Sequence, residues 1–134
     1  MSEENVDKIR RGQEGFSRGD LAPIKDAVAD DVEWGAVGAF PGVEEIYRGP
    51  GAMDRWMEAI RSAWEAFEAS TDEVIRDTGD VVVLAERLRG RGRESGVEVE
   101  MLIFSTFWFR EGKIVKRRAF TSRQEAIEAA GLSE

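Results

Sequence analysis

Residues 96–120 read GVEVEMLIFSTFWFREGKIVKRRAF, and this stretch decides the fold. Val97, Val99, Met101, Ile103, Phe107 and Phe109 alternate with Glu98, Glu100, Thr106, Trp108 and Arg110. A period of two places successive side chains on opposite faces of a sheet. Glu111-Gly112 supplies a tight turn, and Lys113 to Phe120 returns as a second strand. Leu102 and Phe104 interrupt the polar row, so the second face also turns apolar at mid-strand. The first face calls for helices or a pocket to cover it; the second is a candidate for contact with another subunit.

Working outward, Val81 to Arg93 reads as the preceding strand. It opens Val-Val-Val-Leu-Ala and ends with Arg87, Arg89, Arg91 and Arg93 on one face. Phe67 to Asp77 reads as the strand before it, joined through Thr78-Gly79-Asp80. The N-terminal half is helical. Val6, Ile9 and Phe16 form one stripe over Glu3 to Arg18, which Gly19 stops. Asp20 opens a second helix to about Ala29. Met53, Trp56, Met57, Ile60 and Trp64 then follow helical spacing after Gly49-Pro50. Val32-Glu33-Trp34 reads as a short strand between them. The loop from Gly35 to Glu45 is apolar enough to fold over the core or to close a pocket. Ser122-Arg123-Gln124-Glu125 is a capping box for a last short helix. Helices followed by sequential strands imply an α+β fold with an antiparallel sheet, in one domain spanning 1–134.

Composition narrows the chemistry. The 134 residues carry a net charge of -8, which disfavours nucleic acid and anionic membranes as partners. Nine basic and five acidic residues lie between Glu86 and Arg118, a pattern that a basic sheet with acidic helices would give, as would polar sheet edges and solvated helix faces. With no cysteine, disulfides and thiolate catalysis are excluded. With no histidine, the commonest general base and zinc ligand are missing, so proton transfer falls to a shifted carboxylate, lysine, tyrosine or water. No metal or cofactor is expected. No apolar run reaches the roughly 20 residues of a membrane helix. The acidic opening Met1 to Asn5 lacks signal-peptide character, and the cytoplasm is the expected location.

Several phrases together resemble the nuclear transport factor 2-like superfamily, and within it the SnoaL-like polyketide cyclase and ketosteroid isomerase-related branch. They are Asp31-Val32-Glu33-Trp34, Tyr47-Arg48-Gly49, Arg91 to Gly96, Trp108 to Val115 and Glu125 to Leu132. The resemblance covers nearly the whole chain. It implies a cone of curved sheet, of the α+β barrel kind, wrapped around the N-terminal helices with a pocket inside. It also implies a homodimer through the outer sheet face, which the row Leu102, Phe104, Thr106 and Trp108 suits.

The catalytic sets of the known branches are not retained. The tyrosine of ketosteroid isomerases would fall near Gly12, and their aspartate at Trp34 or Gly35. The arginine of limonene epoxide hydrolases is kept as Arg87, but Arg89 replaces the aspartate two residues on. Ser105 stands about where SnoaL-like cyclases carry a histidine, and Thr121 or Ser122 takes the place of their aspartate. Three readings remain open. In the first, an enzyme of the isomerase, cyclase or hydrolase kind uses Arg87 to hold an oxyanion, Tyr47 as a donor, and Glu73 or Glu100 as a desolvated base. In the second, the domain encloses a small apolar or aromatic molecule without transforming it. Trp34, Phe40, Trp56 and Phe107 would form the walls in either case, with Ser105, Arg118 and Phe120 as further ligand-binding candidates. In the third, the cone is filled by its own side chains. If Val83, Ala85 and Arg87 share a face, Arg87 points into the cone and must be paired there.

Overall fold

The computed structural model describes residues 2–36 and 46–133. Phe40 and most of the apolar loop before Ile46 lie outside the described residues. Helix α1 spans Ser2–Ser17 and α2 spans Ala22–Ala27. Strand β1 (Val28–Gly35) and the short β2 (Ile46–Arg48) precede α3 (Ala52–Ala63). Four strands follow: β3 (Trp64–Asp77), β4 (Val81–Gly92), β5 (Glu98–Arg110) and β6 (Lys113–Phe120), and α4 (Arg123–Ala129) closes the chain. The fold is α+β, a six-stranded curved sheet with the N-terminal helices against its inner face.

The sheet order is β2-β1-β6-β5-β4-β3, antiparallel throughout except where β1 runs parallel to β6. The turn between β5 and β6 is the one the sequence marked. Glu111 has φ 51° and Gly112 φ 75°, the two positive values a two-residue hairpin turn needs. Curvature comes from irregular register: β3 slips against β4 at three places, and each bulge bends and twists the strand. Helix α3 stops one residue short of its apolar stripe. Trp64 is extended (φ -124°, ψ 131°) and begins β3, yet it stays buried by lying over Gly90. A Cβ on Gly90 would come 2.7 Å from the Trp64 ring, so the close crossing requires glycine.

Two apolar clusters result. The larger fills the concave side, between the sheet and α1, α2 and α3. The smaller lies on the convex side, where Ala126 and Ile127 of α4 cover Val83, Phe104 and Phe120. Ser122 caps α4 by accepting the Glu125 N–H at 3.3 Å, and Thr106 donates from the sheet to the Ala126 carbonyl at 2.7 Å. Part of the outer apolar row is therefore covered by the chain's own last helix. Leu102, at 39% exposure, remains open on this face, whereas the exposed Val99 pairs with Gly90 and shares the inner parity of Ile103.

Candidate functional site

The inner face of β4 is Val82, Leu84, Glu86 and Leu88, all buried. Val83, Ala85 and Arg87 do share a face, but it is the outer one. The inward charge is therefore Glu86, 3% exposed, and its partner is Arg117 of β6, 4% exposed. Arg117 faces inward because β6 carries a bulge. Trp108 pairs with Lys116 while Phe109 pairs with Ile114, so Val115 is the extra residue. Without that bulge Ile114 would share a face with Lys116, Arg118 and Phe120; with it, Ile114 shares one with Arg117 and Ala119.

Arg117 occupies the middle of a cross-strand row, with Trp34 of β1 on one side and Phe107 of β5 on the other. Its guanidinium lies 5.0 Å from the Trp34 ring and 5.7 Å from the Phe107 ring, within cation–π range of both. Nη2 donates to Glu86 Oε1 at 2.8 Å and to Ser105 Oγ at 3.1 Å, and Nη1 donates to the Gly35 carbonyl at 3.0 Å. Gln13 of α1 donates through Nε2 to Glu86 Oε2 at 2.7 Å and accepts from Thr71 Oγ1 at 2.7 Å. A buried charge pair is tolerated only when its remaining lone pairs and protons are met in this way. Burial by itself pushes the Glu86 carboxyl up. The Arg117 charge and hydrogen bonds from Ser105, Arg117 and Gln13 outweigh it and hold the group below the usual carboxylate range.

Beside this pair lies a cavity of about 40 Å³, walled by Phe16, Ile24, Trp34, Trp56, Phe107 and Glu86 among others. That is room for water or for the head of a ligand, and less than an aromatic ring needs. The wall is aromatic: Phe16 stacks on Trp56 at 4.4 Å, and Trp34 meets Trp56 at 5.1 Å. It also carries donors in excess. Trp34 Nε1, Trp56 Nε1 and Arg117 Nε are buried and have no acceptor among the described residues. Gly12 belongs to the wall as well; a Cβ there would lie 2.8 Å from Ile24 Cδ1, so a tyrosine would have to displace Ile24.

The residues expected from the sequence divide sharply. Trp34, Trp56, Phe107 and Ser105 meet around the buried pair, and Tyr47 is buried in the larger cluster outside the cavity wall. The placement of Arg87 inside the cone is overturned. Arg87 donates to Asp72 at 3.1 Å and to Glu100 at 3.2 Å on the outer face, where Arg89 also donates to Glu100. Glu100 and Glu73 are exposed on the outer side of the sheet, not buried in the cone. Hydrogen bonds from Arg123 lower the Glu73 carboxyl instead of raising it. Arg118 turns away from Arg117 and binds Glu33 at 2.9 Å, and Phe120 packs under α4. Both follow from the β6 bulge. The sequence reading missed Glu86, Arg117 and Gln13. The available signal was the single acid of β4, placed directly after an apolar run whose two faces look alike.

The SnoaL-like domain profile matches residues 9–117. No curated protein matches the sequence. Among solved structures, an NTF2-like protein of unknown function from Burkholderia pseudomallei is similar at 22% identity. The match covers 93% of this chain and 95% of that one, with a TM-score of 0.77. TerC, co-crystallised with polyporic acid, is similar at 20% identity over 93% of this chain and 98% of that one, with a TM-score of 0.75. A protein of ketosteroid isomerase-like fold from Catenulispora acidiphila, in complex with trimethylamine, matches at 13% identity over 99% and 96%, with a TM-score of 0.72. The chain belongs to the SnoaL-like domain family.

Proposed function

We propose that this SnoaL-like domain binds a small molecule in the cavity beside Glu86 and Arg117, and that it does so without using a carboxylate as a base. The observation that carries this reading is the state of Glu86. It is the one buried carboxylate among the described residues, and its low pKa and its hydrogen bonds to Arg117 and Gln13 commit it to the arginine. A general base works best with a pKa near the operating pH, which a carboxylate held down by a guanidinium does not have. The aromatic wall with a few convergent polar groups has the composition of a ligand site. The two neighbours crystallised with polyporic acid and trimethylamine fit a fold that receives small molecules.

The test is to incubate the protein with a panel of small aromatic compounds, follow the thermal shift, and recover the compound for mass spectrometry. Stabilisation that is lost in Trp34→Ala, with the compound recovered unchanged, is expected. Chemical conversion that Glu86→Gln abolishes would establish an enzyme instead.

For the assembly, we propose a homodimer through the outer sheet face. Leu102 is exposed there beside the half-buried Phe104 and Trp108, and large side chains gain about 1.5–3 kcal/mol each on burial. Light scattering at micromolar concentration is expected to give twice the chain mass, and Leu102→Lys to halve it. A wild-type monomer refutes this reading.

A further inference from the structure

Three donors that have no acceptor among the described residues constrain what the cavity accepts. Trp34 Nε1, Trp56 Nε1 and Arg117 Nε belong to wall residues that are all more than nine-tenths buried. An indole N–H and a guanidinium N–H can only donate. Leaving such groups unmet in a low-dielectric interior is costly, so an occupant that brings acceptors is favoured over one that brings only carbon. The acceptors already in the wall are spoken for. Glu86 Oε1 receives Arg117 and Oε2 receives Gln13, while Gln13 Oε1 receives Thr71.

Charge narrows the class further. Among the described residues Glu86 and Arg117 are the charged ones of the wall, and they pair at 2.8 Å, so that part of the wall is electrically neutral. A carboxylate or phosphate entering it would be a third buried charge with no counter-ion. An ammonium group brings no acceptor, so whatever the ring faces offer it, the three donors would stay unmet. On the reading that the cavity is a binding site, we propose that its ligand is an uncharged molecule that presents an acceptor oxygen, such as the carbonyl of a ketone, quinone or ester, to the indole N–H groups of Trp34 and Trp56 and to Arg117 Nε.

The experiment uses three planar compounds of one shape: acetophenone, benzoate and α-methylstyrene. They differ at one group, which is C=O, carboxylate or C=CH₂. The cavity of about 40 Å³ is smaller than their shared ring, so each must open the wall, and that common cost cancels in the ratios. Binding is followed by the indole N–H resonances in NMR titrations, with Trp34 and Trp56 identified from the Trp34→Phe and Trp56→Phe variants. Acetophenone is expected to bind about tenfold tighter than α-methylstyrene, the value of one net hydrogen bond, and to move both indole resonances downfield. Benzoate is expected to bind weakest. Trp56→Phe keeps a ring in the wall and removes the donor, so it should erase most of the ketone preference while leaving α-methylstyrene affinity in place. Equal affinity for acetophenone and α-methylstyrene, or benzoate tightest, overturns the donor assignment while leaving a binding site standing. No saturable binding of any of the three overturns both. Should Trp56→Phe fail to fold, the wild-type affinity ratios and resonance shifts decide alone.

Discussion

Replacing Arg117 with methionine keeps a long apolar side chain and removes the charge from the centre of the molecule. Glu86 is then left 3% exposed, with hydrogen bonds from Gln13 and Ser105 but no counter-ion. Breaking one side of a buried pair costs about 3–5 kcal/mol. Loss of the guanidinium between the Trp34 and Phe107 rings adds about 1 kcal/mol. For a chain of this size the thermal midpoint should fall by roughly 10–20 °C. The pH dependence is the sharper test. In the native protein the folded pKa of Glu86 lies below the unfolded value of about 4.3, so its stabilisation is present above that pH and lost as pH falls through the folded pKa. In Arg117→Met, burial acts without the arginine and raises the folded pKa above about 4.3. The sign reverses: the contribution is present at low pH and lost as pH rises through the folded pKa. Urea denaturation of both proteins from pH 8 to pH 5 should therefore show the gap between them narrowing on acidification, while shared carboxylates cancel. Adding Glu86→Leu to Arg117→Met should recover most of the loss, since a buried pair replaced by apolar residues is often near neutral. A gap under about 1 kcal/mol that stays constant across this range would refute the account of the buried pair.

Further outcomes follow from the same geometry. Arg87→Met touches only the exposed face toward Asp72 and Glu100, so differential scanning calorimetry should show a midpoint close to that of the native protein; a large drop would place Arg87 inside. Gly15→Ala should destabilise by about 1–3 kcal/mol in chemical denaturation, because the new Cβ would come 2.6 Å from the Asp20 carbonyl oxygen. That outweighs the gain of about 1 kcal/mol from removing a helical glycine, and a more stable variant would refute it. Ser122→Ala removes the cap of α4 and should cost about 1 kcal/mol in urea denaturation, with no change expected in the acetophenone titration.

Much of the architecture was legible because its signals are local. Glu111-Gly112 had to be a hairpin turn, Ser122 had to begin a helix, and Met53 to Ile60 had to be one face of α3. Trp64 shows the limit of such patterns. It continues the helical spacing of α3, yet the helix ends at Ala63 and the same side chain is buried from a strand. A residue at the junction can serve the core from either conformation, so burial did not specify the backbone.

The interior of the cone was less legible, because its contents turn on parity along two strands. Alternation assigns a face only where one face is polar. On β4 the run Val81 to Ala85 is apolar on both faces, since the concave core takes Val82 and Leu84 while α4 takes Val83. No residue in the run tells inside from outside, and Arg87 and Glu86 were equally placed to be the inward charge. On β6 one inserted residue, Val115, exchanges Arg118 for Arg117. The two ambiguities are not independent in the folded chain. An inward glutamate at 86 needs an inward cation across the sheet, and only the bulged register of β6 supplies Arg117 within 2.8 Å of it. Straightening β6 would send Arg117 outward and bury Arg118 or Lys116 in its place, away from the row of Trp34 and Phe107. Electrostatic pairing thus selects the strand register here, and the same selection places Arg117 in the wall of the cavity.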